Sequence, residues 1–505
     1  MQEANQLTFS PLLDIVRSVI QPDLPVYLVG GAVRDLFLKR EVHDLDFAMP
    51  AYALETARAV ANRLKAAYYP LDPIRQTGRV ILSGENGQRT FLDFAVYRAS
   101  DLMSDLRARD FTINAMAMEL GHSLTLIDPL DGAQDMTSRL LRACSPSSFE
   151  EDPVRILRAV RLATELNFRI HSDTLLSLRR AIPHLSSVAP ERSRDELFRI
   201  LEGSKPAACM RALELLGVLP YLLPELVDLQ RVEQSPPHIA DIWIHTLDVV
   251  EKLELILNVL AAQYEPDVSA NLIAGQVSLR IGRYRQQISE HLQREPGVGR
   301  SLRGLLLLGA LYHDAGKPQT RQVEESGRVR FFNHDSVGAE LVTFRGRELR
   351  LSNIEVDWLS KLVRHHMRPL MMADTGKTPS SRAIFRFFRD SGEAGVDVGL
   401  LSLADVWGTY GSSLPPDVWS RQVEAVRLLL ESWWDKTEQV VHPPRLLDGY
   451  DLLSEFELSP GPFVGRLLDE IQEAQAAGLV SDRQQALDYA RKVIRQEDIP
   501  PDTAA

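Results

Sequence analysis

The chain of 505 residues has few cysteines, no excess of basic residues and no long apolar run. Cys144 and Cys209 form neither a zinc-binding pattern nor a disulfide framework, so we expect a reducing, cytoplasmic environment. The 57 basic residues are outnumbered by 69 acidic ones, which argues against a general nucleic-acid coat but not against an enzyme with a locally basic surface. No apolar run is long enough to span a bilayer, and the first residues lack a signal-peptide pattern. The sequence therefore predicts no membrane contact.

Strand and helix patterns alternate in the first part of the chain, whereas helix patterns dominate the rest. The predicted strands are 25–31, 44–49, 79–84 and 89–98, with the turn ENGQ inside a hairpin and further sheet residues in DFTINAMAMEL and LTLIDPLDG. The predicted domains are an α/β head over 1–138, a helical neck over 139–232, an all-α domain over 233–412 with a helical insertion at about 262–300, and a helical tail over 413–505.

Two aspartates on one predicted strand indicate a metal site. Asp44 and Asp46 in HDLDF are two positions apart, so their side chains share a face of the strand. Such close carboxylates repel each other unless a cation lies between them, and Mg²⁺ bound by carboxylates and substrate phosphates fits this arrangement. Asp93 lies among apolar residues in TFLDFAV and would be a third ligand. The alternative is a solvated strand edge without a metal.

The segment LVGGAVRD, just before these acids, has the order strand, glycine pair, helix. Gly30 and Gly31 would let backbone N–H groups approach a phosphate at a helix N-terminus, and Arg34 would add a fork-shaped donor. A glycine pair alone is often a simple turn. The proximity of the glycines to Asp44 and Asp46 favours a nucleotide site.

The segment FEEDPVRILRAVR, residues 149–161, sets a carboxylate and a guanidinium three positions apart. Asp152 accepts hydrogen bonds and Arg155 donates them, so the pair complements the Watson–Crick edge of cytosine or adenine but not that of guanine or uracil. Residues at i and i+3 of a helix are neighbours, so both can reach one base. The alternative is a helix start capped by Asp152, with Arg155 pairing to it at the surface.

These motifs together resemble a known family. LVGGAVRD…HDLDF, RARDFTINAMA, LIDPLDGAQDM, EEDPVRILRAVRLA and ERSRDEL occur in the order found in class II tRNA nucleotidyltransferases, the CCA-adding enzymes, and the related bacterial poly(A) polymerases. The resemblance covers roughly residues 25–225. It implies a polymerase-β-like α/β nucleotidyltransferase head with a mixed sheet, followed by an all-α neck and body.

The resemblance also implies roles for individual residues. Asp44, Asp46 and Asp93 would be catalytic, with Mg²⁺ bound to Asp44 and Asp46, and the pair Asp152 and Arg155 would select the incoming nucleotide. The remaining implied nucleotide-binding residues are Gly30, Gly31, Arg34, Arg109, Asp110, Asn114, Arg158 and Arg161. The family usually has a further arginine where this chain has Ala108, a contact that is either absent or supplied by Arg107. Glu191 and Arg192 would brace the helix that carries Arg155.

The implied reaction is attack of a tRNA 3′-hydroxyl on the α-phosphate of CTP or ATP, with release of pyrophosphate. Residues 151–211 carry 11 basic and 8 acidic side chains, which fits phosphate contacts to the tRNA acceptor end but also fits a salt-bridged helical surface. The family usually has a flexible loop of some twenty residues after the strand of Asp93, and this chain has only a few. That shortening resembles CC-adding members, which act beside a separate A-adding enzyme.

Histidines and aspartates recur in the helical part of the chain. His245, His313, Asp314 and Asp405 resemble the metal ligands of the HD superfamily of phosphohydrolases, and His334 and His365 could serve a second metal or a phosphate. A single helical histidine is more often an ordinary core or surface group, but the ordered set favours a divalent-metal site. The resemblance implies 2′,3′-cyclic phosphodiesterase or phosphatase activity.

Two other functions remain open at this stage. A poly(A) polymerase is one, although such relatives usually have a basic tail and lack an HD domain. The other is a regulatory protein that binds nucleotides without catalysis, against which the intact Asp44 and Asp46 argue.

Overall fold

A computed structural model describes residues 11–21, 23–40, 42, 44–83, 89–120, 125–262 and 271–496. The chain forms two compact units, Met1–Val188 and Ala189–Ala505. The predicted turn at 85–88 and part of the predicted insertion lie outside the described residues.

The first unit is built on a seven-stranded sheet in the order β3-β4-β5-β2-β1-β6-β7. Strands β2 and β5 are parallel, while the other neighbouring pairs are antiparallel, so the predicted mixed sheet is confirmed. The strands are β1 Tyr27–Val29, β2 Asp44–Met49, β3 Ala67–Asp72, β4 Thr77–Ser83, β5 Arg89–Val96, β6 Ala117–Glu119 and β7 Leu126–Ile127; a separate parallel pair is β8 Leu140–Leu141 with β9 Arg169–Ile170.

One face of this sheet is covered by a helix and the other carries the predicted site. A side chain at Gly78 of β4 would contact Ala57 and Leu54 of helix α3, Ala53–Leu64, so α3 packs on that face. The alternate residues of β2 and β5 therefore project from the opposite face. The helices of this unit are α1 Pro11–Val19, α2 Gly31–Phe37, α3 Ala53–Leu64, α4 Leu102–Arg107, α5 Gly132–Thr137, α6 Ser148–Glu151, α7 Arg155–Leu166 and α8 Ser172–Ala181.

Two parts of the head differ from the strands predicted above. Helix α3 ends at Leu64, where Lys65 adopts a left-handed conformation, and the strand β3, which the sequence did not predict, follows at Ala67. Thr112–Asn114, predicted as part of the sheet, forms a 3₁₀ helix before β6.

The second unit is predominantly helical, as predicted. Its described residues include a small hairpin, β10 Arg321–Val323 with β11 Val329–Phe331. The predicted helical insertion contains α13, Leu272–Ile281, and α14, Arg285–Gln293. The helices are α9 Pro190–Glu202, α10 Pro206–Leu216, α11 Leu219–Leu222, α12 Ile242–Val259, α13 Leu272–Ile281, α14 Arg285–Gln293, α15 Leu302–Tyr312, α16 Lys317–Thr320, α17 His334–Glu348, α18 Asn353–His365, α19 Arg368–Asp374, α20 Ser381–Ser391, α21 Gly395–Tyr410, α22 Pro416–Trp434, α23 Gly449–Phe456, α24 Pro462–Ala476 and α25 Arg483–Gln496.

The last three helices enclose a small core of their own, to which Leu452, Leu467 and Ile471 contribute. Arg386 of α20 joins this core to the rest of the unit by donating two hydrogen bonds, of 2.6 and 2.7 Å, to the carboxylate of Glu473. Within the described part of the chain, no helix combines the length and the apolar character needed to traverse a bilayer.

Candidate active sites

The three predicted catalytic acids of the head lie on neighbouring strands. Asp46 of β2 is in register with Asp93 of the parallel strand β5, and Asp44 is two positions earlier on the same face. The residues that follow Asp46 and Asp93, Phe47 and Phe94, stack on the buried face with their ring centroids 4.7 Å apart. Because the apolar residues fix which face is buried, all three carboxylates point to the open face.

Asp44, Asp46 and Asp93 form an acidic row whose electrostatics favour a bound cation. Desolvation by surrounding protein atoms, and then repulsion from Asp93 and Asp44, raises the pKa of Asp46, although its side chain retains access to solvent. Arg109 works against that shift. A raised pKa among adjacent carboxylates is what a divalent metal would relieve, so the residues present fit Mg²⁺.

Sequence reasoning missed Arg79. On β4, Arg79 lies opposite Asp93 and donates hydrogen bonds of 2.8 and 2.7 Å to its two carboxylate oxygens. The same guanidinium lies 5.1 Å from the centre of the Phe91 ring. The position of an arginine in one strand of a predicted hairpin becomes informative only when the strand register is known.

Gly30 brings backbone into contact with the acidic row. Its φ of +75° is a conformation that side-chain-bearing residues rarely adopt. A Cβ at this position would lie 2.8 Å from Nη1 of Arg109 and 3.7 Å from Oδ2 of Asp46. The glycine therefore leaves room beside Asp46 at the start of α2, where backbone N–H groups of the helix begin.

The sequence predicts Arg34 as a fork-shaped donor to a phosphate, and in the structure its N–H groups contact two side chains. It donates to both carboxylate oxygens of Asp35, at 2.9 and 2.7 Å, and to Oδ1 of Asn114 at 2.7 Å. The Asn114 amide in turn donates to Asp110, at 3.0 Å. Arg34 thus links α2 to Asn114, and its role as a phosphate donor stays a prediction.

Asp110 is the centre of this network. It accepts hydrogen bonds of 2.9 and 2.7 Å from Arg158 of α7 and one of 2.8 Å from the backbone N–H of Phe111. Burial works against its ionisation, but Arg158 and Asn114 hold the pKa of Asp110 below its ordinary value. The network connects α7 through Asp110 and Asn114 to Arg34 of α2, while Arg161, one turn further, contacts Glu165 at 3.3 Å.

The predicted base-reading pair lies at a break between two helices. Asp152 has extended backbone after α6, and α7 begins at Arg155, so the two residues do not share one regular helix. The Nε of Arg155 lies 3.9 Å from Oδ2 of Asp152. Arg155 also donates to Oγ of Ser148 at 2.7 Å and to the carbonyl of Ala108 at 3.1 Å. The pair is adjacent, as predicted, and Arg155 is held by groups outside the pair.

The segment after β5 is short. Val96 ends β5 and Leu102 begins α4, which leaves residues 97–101 between them. Ala108 and Arg107 are both exposed at the end of α4, and the structure gives no sign that Arg107 replaces the family's missing arginine. Glu191 and Arg192 lie in the first turn of α9, in the second unit, and their bracing role stays a prediction.

In the second unit, four predicted ligands converge from three helices. His245 of α12 lies 3.1 Å from Asp405 of α21 and 3.6 Å from Asp314, measured from Nε2 to carboxylate oxygen. His313, directly after α15, has its Nε2 3.3 Å from Asp314. All four are buried. The turn that follows requires Gly316, since a Cβ there would lie 2.2 Å from the carbonyl oxygen of His334.

A second pair of imidazoles borders Asp314. Nε2 of His334 lies 3.5 Å, and that of His366 3.8 Å, from Oδ1 of Asp314. His366 therefore occupies the place for which the sequence suggested His365. Neighbouring helical residues point about 100° apart, and the end of α18 turns His366 inward while His365 lies among Arg368 and Asp390.

The histidine tautomers favour metal binding. The Nδ1 atoms of His313, His334 and His366 each lie 2.7–2.8 Å from a backbone carbonyl and donate to it. That bond leaves the Nε2 lone pair facing the cluster, as in metal-ligating histidines. Among the described residues, Nε2 of His245 and of His313 is buried and forms no well-aligned hydrogen bond, although carboxylate oxygens lie only 3.1 and 3.3 Å away. Two groups of three, His245–His313–Asp314 and Asp314–His334–His366, have ligand atoms close enough to hold a metal. The residues fit a divalent ion.

A pocket of about 340 Å³ opens onto this cluster. Asp314, His334 and Asp405 contribute to its floor, and Arg328 and Arg330 of the hairpin to its wall. Lys317 contacts Asp314 at 2.6 Å and donates to Oε1 of Gln234 at 2.6 Å. Burial, and then the adjacent Lys317, lowers the pKa of His238 in the same wall to about 3. The pocket therefore combines candidate metal ligands with cations that suit an anionic substrate.

Three sequence families match along the chain. They are the "Poly A polymerase head domain" over 26–142, the "Probable RNA and SrmB- binding site of polymerase A" over 167–229, and the "HD domain" over 278–406. The last match begins after His245. The three matches cover both the acidic row of the head and most of the histidine cluster.

Full-length relatives agree with these matches. The A-adding tRNA nucleotidyltransferase of Deinococcus radiodurans is 33% identical over 94% of this chain and 97% of its own length. The CC-adding tRNA nucleotidyltransferase of Geobacter sulfurreducens is 31% identical over 96% of this chain and 95% of its own. The chain belongs to the tRNA nucleotidyltransferase and poly(A) polymerase family, with an HD domain. A solved CCA-adding enzyme in complex with CTP shares the fold, with a TM-score of 0.59, 20% identity and coverage of 99% and 98% of the two chains.

Proposed function

We propose that this nucleotidyltransferase adds cytidines to the 3′ end of tRNA, with CTP as substrate and pyrophosphate as product. The observation that supports it most directly is the row of Asp44, Asp46 and Asp93 beside the glycine turn at Gly30. Mg²⁺ bound by these carboxylates would supply charge neutralisation for the attacking hydroxyl and the leaving pyrophosphate. The chain itself orients the reactants and requires no covalent intermediate.

Base selection is assigned to Asp152 and Arg155. Asp152 accepts from the exocyclic amino group of cytosine or adenine, and Arg155 donates to the ring acceptor next to it. Ser148 and the Ala108 carbonyl hold the guanidinium from behind, so the orientation of Arg155 does not depend on the nucleotide. Arg109, Asp110 and Asn114 are assigned to the triphosphate and ribose.

The short segment 97–101 supports addition of C but not of A. A long flexible loop is the feature that the resemblance associates with the switch from CTP to ATP. A separate A-adding enzyme would then complete the same tRNA. The full-length relatives include both CC-adding and A-adding enzymes, so the assignment depends on the loop.

Product sequencing tests this proposal. Purified protein is incubated with tRNA lacking its terminal CCA, with CTP, with ATP and with both. We expect two cytidines from CTP and no further adenosine when ATP is added. A terminal adenosine would refute CC-only addition, and a long adenosine tail would favour a poly(A) polymerase. Addition of adenosine to tRNA already ending in CC, with no cytidine added to the shorter tRNA, would favour an A-adding enzyme. No incorporation on either tRNA would favour a silent nucleotide-binding protein.

We further propose a phosphohydrolase activity for the HD site. The observation that supports it is the convergence of buried Nε2 and carboxylate oxygens beneath a pocket lined by Lys317, Arg328 and Arg330. Hydrolysis of a 2′,3′-cyclic phosphate or a terminal phosphate on RNA would suit this pocket. Both substrates should be assayed after metal removal and after separate addition of Mg²⁺, Mn²⁺, Co²⁺ and Ni²⁺. Lack of turnover with every metal would refute the activity.

A further inference from the structure

The side of the acidic row away from the glycine turn has no assigned ligand. Gly30 and Arg109 flank Asp46 on the β1 side of β2. On the other side, the same row continues through Asp93 on β5 to Arg79 on β4. In an in-line displacement the attacking and leaving oxygens lie on opposite sides of the phosphorus. If the triphosphate occupies the Gly30 side, the attacking hydroxyl must approach from the side of Asp93 and Arg79.

Arg79 is positioned to place a positive charge on that side, next to Asp93. Its Nε and Nη2 are directed to Asp93, and the ring of Phe91 supports the guanidinium, while about a third of the side chain stays exposed. An arginine held in this way is pre-organised and can still offer a remaining N–H to a phosphate oxygen.

A groove of about 670 Å³ lies next to the pair of Arg79 and Asp93, at the ends of β4 and β5. Its floor includes Thr77 and Ala95, which are paired in register one row beyond Arg79 and Asp93. The turn between β3 and β4 supplies Arg75, and the segment after β5 supplies Tyr97 and Arg98. The lining of the groove therefore begins one row from Arg79 and Asp93, and Arg75 and Arg98 place a cation on each wall.

The walls of the groove are fixed by the fold. The backbone N–H of Tyr97 donates to the carbonyl of Met49 at 3.1 Å, and that of Arg98 to Oδ1 of the buried Asp105 at 2.8 Å. On the opposite wall, the backbone N–H of Arg75 donates to Asp72 at 2.9 Å. The Arg75 side chain is 77% exposed, and its Nε lies 3.7 Å from Oδ2 of Asp72. Fixed backbone with exposed arginine side chains and an aromatic ring is an arrangement that suits single-stranded RNA.

We propose that this groove binds the single-stranded 3′ end of the RNA that supplies the attacking hydroxyl. Arg79 contacts the terminal phosphodiester next to Asp93. Arg75 and Arg98 contact the preceding phosphates. Tyr97 is half-buried against the apolar cluster that contains Ala48 and Leu102, and the exposed part of its ring supports a base. The assignment rests on the proposed function, since it places the second substrate of the same reaction.

The variants Arg79→Gln and Arg75→Ala/Arg98→Ala test the groove. Binding of tRNA lacking its terminal CCA is measured with EDTA present, so that no metal-dependent step contributes. We expect the dissociation constant to rise roughly 10-fold in the double variant, and the slope of log affinity against log salt to fall by about 0.7 per lost phosphate contact. The KM for CTP should stay unchanged in the double variant. Arg63→Ala, an exposed arginine on α3 behind the sheet, is the matched control.

A crosslink gives an independent location. The last nucleotide of the same tRNA is replaced by 4-thiouridine, and irradiated complexes are mapped by mass spectrometry. Crosslinks to peptides within 72–79 or 95–98 are expected. Wild-type protein that extends the tRNA while its crosslinks lie elsewhere, or while the arginine variants bind tRNA normally, would overturn the groove alone. Wild-type protein that extends no tRNA would overturn the proposed function instead.

Discussion

The head and the HD domain both bring together groups suited to divalent cations, but in different surroundings. In the head, the candidate ligands are carboxylates on strands, Asp44 and Asp46 retain access to solvent, and Arg79 and Arg109 lie beside them. In the HD domain, imidazoles and carboxylates from helices are buried together.

This difference predicts different metal behaviour. Oxygen ligands open to water suit Mg²⁺, which keeps several waters and binds together with a substrate phosphate. Buried imidazoles with fixed tautomers suit a transition metal that stays bound between reactions. We therefore expect a metal that arrives with the nucleotide in the head and a resident metal in the HD domain.

The largest expected effect is that of Asp46→Asn on nucleotide addition. The substitution keeps the size of the side chain and removes the central charge of the acidic row. We expect CTP incorporation into tRNA to fall at least about 1,000-fold, because electrostatic stabilisation dominates phosphoryl transfer. Phosphohydrolase activity and tightly bound metal should not change.

The control for Asp46→Asn is Glu55→Gln, an exposed carboxylate on α3 at the opposite face of the sheet. Incorporation by Asp46→Asn at the level of this control would remove the acidic row from catalysis. Loss of the resident metal in Asp46→Asn would contradict the separation of the two sites.

The next largest effect is expected from Asp314→Asn, which tests the resident metal. Asp314 borders both groups of candidate ligands, so its loss should release the metal that copurifies with the wild-type protein, as measured by elemental analysis. Phosphohydrolase activity should fall roughly 100-fold or more, while nucleotide addition continues. The exposed Asp357→Asn on α18 is the control. Wild-type protein without bound metal would overturn the comparison.

The sequence identified those site residues whose positions follow from local periodicity or from ordered motifs. Asp44 and Asp46 share a face because strand side chains alternate, and the ordered motifs located Asp152 and Arg155. It missed Arg79, whose meaning depends on the register of β4 against β5.

The other differences also depend on geometry that the sequence does not display. His365 and His366 are adjacent letters, and only the end of α18 determines which one faces Asp314. The left-handed turn at Lys65, at a residue other than glycine, concealed the start of β3.

A smaller effect is expected when the base-reading pair is altered in Asp152→Ala. Removing the acceptor should lower kcat/KM for CTP roughly 10- to 100-fold and raise the relative use of UTP, since the amino group of cytosine loses its partner. Incorporation is measured with each of the four nucleotides. Glu150→Gln, exposed on α6, is the control. An equal loss of incorporation with all four nucleotides would indicate a structural role for Asp152. Base selection by this residue would then be removed from the proposal, and only the charge-based catalysis of the acidic row would stand.

The smallest effect is expected at another buried histidine–carboxylate cluster in the second unit. Charge alone explains this cluster, so it provides a contrast to the metal-binding cluster of the HD domain. Nε2 of His291 lies 3.1 Å from Asp397, and Glu393 and Arg294 are adjacent. Trp358 donates to the other oxygen of Asp397 at 2.6 Å. Among the described residues, His291 joins no group of three metal ligands. Burial works against protonation, but Asp397 and Glu393 raise the pKa of His291 to about 9.

A histidine with a raised folded-state pKa stabilises the protein fully below pH 6.5, and this stabilisation is lost as the pH rises through about 9. The shift corresponds to roughly 3 kcal/mol of unfolding free energy. We expect the melting temperature of the unit containing His291 to fall by a few degrees between pH 6.5 and 9.5. In His291→Gln that decrease should be smaller, and added Zn²⁺ should not restore stability in either protein. A Zn²⁺-dependent rise in the melting temperature of the wild type alone would mean that His291 binds metal. The contrast between buried charge pairs and buried metal sites in this unit would then no longer hold.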